Sequence, residues 1–186
     1  MSKTLIACFS HAGQNYSHGG IRNLAVGNTE VVARKINELI PSDLFHIDTV
    51  QKYPDDHMQK IKIAKREFEQ GARPKLTARV GNMSDYDTVI VAYPNWWTTM
   101  PMAVCTFLEG YDWAGKTVCP LITHGGSGFS DSLADIRHRC PGATITEGLA
   151  VNGDDAATCD ADLERWLDKI VFCNRGIGRL LKRKYL

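Results

Sequence analysis

The chain has 186 residues, enough for one domain with a substantial buried core. Hydrophobic residues make up 44% and charged residues 23% of the sequence, which is typical of globular domains and excludes disordered and fibrous classes. The apolar runs have the length of strands, so we expect no membrane span. Six cysteines occur without CxxC pairs or zinc-ligand spacing, which predicts free thiols in a reducing compartment and no metal site.

Charge is distributed unevenly along the chain. Residues 171–186 hold five basic side chains and no acidic one, whereas residues 1–170 hold 17 basic and 21 acidic side chains, a net of −4. A basic tail without interleaved aromatic residues is typical of a solvated chain end, so we expect no nucleic-acid partner. We predict one domain over 1–170 and a basic tail over 171–186. No cleavable signal precedes the first apolar run, which favours a cytoplasmic location.

Hydrophobic periodicity predicts strands that alternate with helices. In chain order the pattern predicts a strand over 4–9, a helix over 28–40, a strand over 44–47, a helix opening at Pro54, a polar connection over 71–86 and a strand over 88–93. It then predicts a helix over 101–110, a strand over 117–122, a helix near 129–140, a strand over 144–151 and a last helix marked by Leu163, Trp166, Leu167 and Ile170. Five strands separated by helices predict an α/β fold with a doubly wound parallel sheet. Pro120 lacks an N–H donor, so we expect it outside the paired stretch or at a bulge.

Three loops that follow predicted strands carry most of the functional information. The first combines Ser10–Gly13 with Gly27–Thr29, the second is Pro94–Thr98, and the third is Thr123–Gly128. Because loops at the carboxyl ends of neighbouring parallel strands converge on one crevice, we expect a single site. The first loop suits an anion, the adjacent indoles of the second suit a flat ring, and the glycine-rich third brings its backbone close to a ligand.

The first loop holds the candidate phosphate ligands, which are Ser10, Ala12, Asn28 and Thr29. Backbone N–H groups and hydroxyls at a helix N-terminus can bind a phosphate monoester without lysine or arginine, although such residues are also ordinary helix caps. Neither GxxxxGK[ST] nor GxGxxG occurs, which argues against a nucleoside triphosphate or a dinucleotide. Residues 14–26 exceed a normal strand-to-helix turn and either cover the site or form a surface excursion.

The other two loops hold the candidate ring-binding residues. Trp96 and Trp97 either stack on a planar ligand or belong to the core or to a lid. His124 precedes three glycines within four residues and is either structural or part of the crevice. No metal-ligand set includes it.

Together these motifs resemble the flavodoxin-like family, in particular its bacterial FMN-binding members with a tryptophan pair. The resemblance rests on FSHAG (9–13), GNT (27–29), YPNWWTTMPM (93–102), TFLE (106–109) and THGGSGF (123–129). It implies a strand order of 2-1-3-4-5, non-covalent FMN and redox chemistry. It also implies that Ser10, Ala12, Asn28 and Thr29 surround the phosphate, with Pro94, Asn95, Trp96, Trp97 and Thr98 on one side of the isoalloxazine and Thr123, His124, Gly125 and Gly126 on the other.

The resemblance leaves several functions open. The chain is either an electron carrier for a redox partner protein or a small NAD(P)H-dependent reductase of a quinone-like acceptor, with a homodimer compatible with both. The alternative is a binding or regulatory module that has kept the fold and lost the cofactor.

One departure from the family bears on the choice between these redox uses. Electron-carrier flavodoxins commonly have a glycine where a peptide flips toward the reduced flavin, and Trp97-Thr98-Thr99 has none. Because β-branched residues disfavour positive φ, we expect Thr98 and Thr99 to resist the flip, which favours two-electron use.

Overall fold

The computed structural model describes residues 3–173, with alternating strands and helices along the chain. The strands are β1 (Thr4–Cys8), β2 (Gly13–Ser17), β3 (Gly20–Leu24), β4 (Asp43–His46), β5 (Thr88–Pro94), β6 (Thr117–His124), β7 (Thr144–Ile145) and β8 (Leu149–Asn152). The helices are α1 (Asn28–Leu39), α2 (His57–Glu69), α3 (Met102–Leu108), α4 (Ser132–Arg139) and α5 (Asp160–Cys173). Two short 3-10 turns cover Met83–Asp85 and Gly153–Asp155.

The main sheet is parallel and runs β4-β1-β5-β6-β7, with β8 also paired to β6. This arrangement confirms the predicted order 2-1-3-4-5, with β7 and β8 as two pieces of the fifth predicted strand. Strands β2 and β3 form a separate antiparallel hairpin. Strands β1 and β5 are buried on both faces, as expected for interior strands of a parallel sheet.

Helices cover both faces of the sheet. Alternate residues of β5 serve the two cores, since Val89 and Val91 join the cluster that contains α3 while Ile90 joins the cluster between α1 and α5. The side chains of Cys8, Cys105, Cys119, Cys140 and Cys159 are all buried. Within the described part of the chain, no helix combines the length and the apolar composition that a membrane span requires.

The expectation for Pro120 is wrong, because this residue lies inside β6 in register with Val91 of β5. Alternate residues of a parallel strand turn their backbone groups to opposite neighbours. Thr117 donates its N–H to Asp87 on the β5 side, whereas the Val118 carbonyl accepts from residue 146 on the other side. Pro120 is two residues beyond Val118, so its backbone groups also point away from β5, toward the fifth predicted strand.

The side that Pro120 faces is where the fifth strand is interrupted. Strand β7 ends at Ile145 and β8 begins at Leu149, so no ladder partner stands opposite the missing N–H. The predicted continuous strand over 144–151 is thus split, and the split accommodates the proline.

Several helix boundaries differ from the sequence prediction. Helix α2 begins at His57 and not at Pro54, because the Asp56 side chain caps it by accepting from Gln59 N–H at 2.8 Å. Pro101 occupies the position before the first helical residue of α3. Helix α5 continues to Cys173, and the rest of the predicted basic tail, residues 174–186, lies outside the described residues.

We predict that Gly148→Ala destabilises the fold by about 1–3 kcal/mol, since overpacking has this cost. A Cβ at this position would overlap Phe129 Cζ and lie 3.0 Å from the Pro120 carbonyl oxygen. Gly81→Ala is the control, because a Cβ there meets no atom within 4 Å. Urea denaturation should show a lower midpoint for the first variant only; equal midpoints would contradict this packing.

Candidate functional site

One cavity of about 970 Å³, including its solvent-filled mouth, lies at the carboxyl ends of β1, β5 and β6. The structure brings most predicted site residues to its wall: Ser10, Asn28, Thr29, Pro94, Asn95, Trp96, Trp97, Thr123, His124 and Gly125. Loops distant in sequence thus meet at one site, as the parallel sheet requires.

Three predicted site residues do not line this cavity. Ala12 borders a separate, smaller cavity that Cys8, Glu30 and Arg34 also line. The Thr98 carbonyl accepts from Asp131 N–H at 2.9 Å, and Gly126 N–H donates to His124 Nδ1 at 2.9 Å. These two residues shape their loops.

The N-terminus of α1 forms one end of the cavity. Ser10 Oγ accepts from Glu30 N–H at 3.0 Å, and the buried hydroxyls of Thr29 and Thr123 lie 2.7 Å apart. Asn28 and Thr29 occupy the first turn, where backbone N–H groups have no partner within the helix. The helix dipole adds positive potential here, so the donor set fits a phosphate.

Glycines make this end accessible. A Cβ at Gly27 would overlap Ser10 Oγ, and a Cβ at Gly153 would overlap the Asn28 side-chain amide. Gly27 is required for this close approach because a Cβ would also lie 2.5 Å from the His11 carbonyl oxygen, whereas a Cβ at Gly153 would require the Asn28 amide to move.

The two adjacent tryptophans have different environments. Trp96 is half-buried and packs edge-to-face on Phe9 and Tyr53, with ring centroids 5.3 and 5.0 Å apart. Trp97 is 40% exposed, and its indole N–H donates to the Ile61 carbonyl of α2 at 3.0 Å. Trp96 thus combines the core and cavity roles, while Trp97 offers the freer aromatic surface.

The loop after β5 corrects the expectation for Thr98. Trp97 and Thr98 both have positive φ, 51° and 65°, inside a turn closed by two backbone hydrogen bonds between Trp96 and Thr99. The β-branched residue therefore already occupies the region that it was expected to avoid. Surrounding contacts hold it there, among them the Thr99 hydroxyl bond to Asp135. Such strain is concentrated at functional sites.

The segment 14–26 forms the β2–β3 hairpin and covers the site, with Asn15, Tyr16 and Ser17 lining the cavity. Its turn consists of His18 and Gly19, both with positive φ as in a tight hairpin turn. The Tyr16 ring lies against the Gly125 backbone, where a Cβ would stand 3.3 Å from the ring.

Both ends of the hairpin are anchored. On the α2 side, Gln14 N–H donates to the Asp55 carbonyl at 2.9 Å and the Gln14 side chain accepts from His57 N–H at 3.1 Å. On the opposite side, Asp154 accepts from the Ser17 hydroxyl at 2.7 Å and from His18 N–H at 2.9 Å. The hairpin thus bridges the cavity between α2 and the turn after β8.

Lys60 is a functional candidate that the sequence did not reveal. It lines the cavity, is only 2% exposed, and donates to the Gln14 carbonyl at 2.6 Å and to Asn15 Oδ1 at 3.0 Å. Burial lowers the pKa of Lys60 to about 8. A lysine on an amphipathic helix normally indicates the solvent face, so periodicity gave no signal for its burial.

The comparisons with known proteins agree with this architecture. Residues 22–170 match the model of the family described as Flavodoxin, and the chain therefore belongs to the flavodoxin family. A protein from Bacteroides eggerthii described as a flavoprotein is 30% identical, with 92% of this chain and 99% of that chain covered and a TM-score of 0.74. A comparison with curated proteins found no match.

Two further solved structures share the fold. A flavoprotein from Lactobacillus acidophilus, solved in complex with FMN, is 20% identical over 89% of this chain and 99% of that chain, with a TM-score of 0.64. An NADH:FMN oxidoreductase in its apo form is 14% identical over 92% and 90% of the two chains, with a TM-score of 0.52. The predicted flavodoxin-like fold is confirmed, and the FMN prediction agrees with the family match and with the Lactobacillus complex.

We predict that Thr98→Gly stabilises the fold by about 1 kcal/mol, because glycine relieves the left-handed backbone at this position. Thr99→Gly is the matched control; it should destabilise the fold, since Thr99 is buried and loses its bond to Asp135. Thermal unfolding of both variants gives the comparison. A loss of stability in Thr98→Gly would contradict the assigned strain.

Proposed function

We propose that this chain binds FMN non-covalently in the cavity and works as a small oxidoreductase that passes electrons from a nicotinamide donor to an organic acceptor. The supporting observation is that one cavity joins phosphate-type donors at the α1 N-terminus to an indole wall and to a glycine-rich loop. When bound, FMN supplies the electron and hydride chemistry, and the protein binds it and sets its surroundings.

The phosphate end of FMN fits the N-terminus of α1. Ser10, Asn28 and Thr29 provide hydroxyl, amide and backbone donors there, and no lysine or arginine of the described residues lines this part of the cavity. Recognition would rest on the helix dipole and directed hydrogen bonds.

The ring end of FMN fits the aromatic part of the cavity. Trp97 reaches it from the loop after β5, and Tyr16 reaches it from the hairpin against Gly125. A flat ring bound there would contact aromatic surface from two segments that are distant in sequence.

Two observations favour a reductase over a protein-docking carrier. The hairpin covers the cavity, which suits a small acceptor, and residues 1–170 carry a net charge of only −4, which gives weak steering toward a basic protein partner. We place this activity in the cytoplasm, a reducing compartment in agreement with the buried thiols.

The first test of this function is an FMN titration of the purified protein, followed by anaerobic addition of NADH or NADPH. We expect a yellow complex whose flavin absorbance bleaches with the donor and returns when a quinone is added. A protein that binds no FMN would instead be the cofactor-free module.

We predict that Asn28→Asp weakens FMN by at least about tenfold, because a carboxylate at the α1 N-terminus repels the phosphate. Riboflavin, which lacks the phosphate, should bind the variant about as well as it binds the wild type. Calorimetry with both ligands separates the two effects. Equal weakening of FMN and riboflavin would mean that Asn28 does not face the phosphate.

We predict that Trp97→Ala and Tyr16→Ala each weaken FMN and riboflavin alike, by about 5- to 150-fold if each ring contributes about 1–3 kcal/mol of stacking. Ile21→Ala is the control, since Ile21 pairs with Tyr16 across the hairpin, is 48% exposed and does not line the cavity. Quenching of flavin fluorescence measures the dissociation constants. Unchanged dissociation constants for both aromatic variants would mean that the FMN ring does not stack on Trp97 or Tyr16.

A further inference from the structure

The cavity contains a cation that the phosphate end does not use. Among the described residues, Lys60 is the only lysine or arginine that lines the cavity. No carboxylate of these residues lies within ion-pair distance of the Lys60 ammonium. The single acidic side chain of the cavity wall, Asp154, is engaged by Ser17 and His18 at the far end of the hairpin. Within residues 3–173 the buried positive charge therefore has no ion-pair partner, and Asp55 acts on it only through its field.

A buried charge without an ion-pair partner is costly. A ligand that carries a negative charge would therefore gain binding free energy by pairing with Lys60. Two contacts of Lys60 Nζ go to the hairpin, and the third, at 3.2 Å, goes to His11 Nδ1. This third contact is the longest and depends on the histidine tautomer. A ligand oxygen can replace it without releasing the hairpin.

The groups around Lys60 do not supply a competing charge. Burial lowers the pKa of His11 and His57, and the charge of Lys60 lowers both further, so these surroundings favour the neutral form of both imidazoles. Asp55, just before α2, is the acidic group whose field acts on Lys60. The Nδ1 atom of His57 is buried and has no hydrogen-bond partner among the described residues.

The wall beside Lys60 contains apolar side chains. Ile61 and Ala64 of α2 line the cavity next to Trp97, whose indole is fixed to the Ile61 carbonyl. Aliphatic side chains next to a cation match an apolar ring with an oxyanion at one edge.

We propose that the α2 wall of the cavity, formed by Lys60, Ile61 and Ala64, is the acceptor subsite and takes planar aromatic molecules that carry a negatively charged oxygen. This inference rests on the proposed function, since it specifies the acceptor class of the same oxidoreductase site. Lys60 attracts the oxyanion, and the apolar wall holds the ring.

The ammonium must be charged for this role, which gives the pH dependence a definite sign. Affinity for an anionic aromatic molecule is fully present below the pKa of Lys60, about 8, and is lost as the pH rises through it. An uncharged molecule of the same shape should show no such loss.

Calorimetry with FMN-saturated protein tests the subsite, using 2-naphthoate and its uncharged isostere 2-naphthamide. We expect the wild type to prefer 2-naphthoate by at least about tenfold at pH near 6, and to lose this preference at pH near 10. Lys60→Met should lose the preference at both pH values. Lys62→Met, the same substitution at an exposed lysine of α2 that does not line the cavity, should keep it.

Three results would overturn the proposal. One is equal binding of the two probes by the wild type at low pH, a measurement that does not require the variant to fold. Another is a preference that persists in Lys60→Met. The third is a loss of FMN affinity in Lys60→Met with riboflavin unaffected, because Lys60 would then serve the FMN phosphate.

The same samples separate this inference from the proposed function. Flavin absorbance records FMN binding before each titration, so a protein that takes up no FMN contradicts the proposed function directly. The two probes are then titrated into the FMN-free protein, where a charge preference that depends on Lys60 supports the anion subsite and its absence overturns it.

Discussion

The register between β5 and β6 is the constraint on which the site depends. Seven residue pairs align these strands from Thr88 opposite Thr117 to Pro94 opposite Thr123, and Asn95 extends the ladder with one more bond to the Thr123 carbonyl. Because side chains alternate along a strand, a shift of one residue would turn the whole set to the other face. The tryptophan loop and the glycine-rich loop leave the sheet side by side because this register holds.

Much of the fold could be predicted from the sequence because its signals are local. The strand over 88–93 is an apolar run buried on both faces, whereas the strand order was implied by the resemblance to the flavodoxin-like family. Most predicted site residues line one cavity for a geometric reason, since the ends of parallel strands meet at one edge of the sheet.

The remaining features depend on contacts between distant residues. The Lys60 contact with the hairpin spans 46 residues and the Asp154 contact spans 137, so no periodicity in either segment reports them. The sequence neighbours of Ala12 predict a phosphate ligand at this position. In the structure, however, Ala12 lines the separate cavity beside Glu30. The glycines at 19 and 20 were a usable signal for the hairpin turn, but its polar strands lacked the alternation that marks a half-buried strand.

The break between β7 and β8 also affects how the protein behaves in a crowded solution. A sheet edge with a long row of unpaired backbone groups is a template for adding strands from other molecules. Here this edge consists of one piece of two residues and one of four, separated by the gap that Pro120 faces. The neighbouring strand offers no donor at the gap, so the edge cannot be extended into one continuous ladder. The proline that first looked misplaced in an interior strand thereby helps to protect the protein against edge-to-edge aggregation.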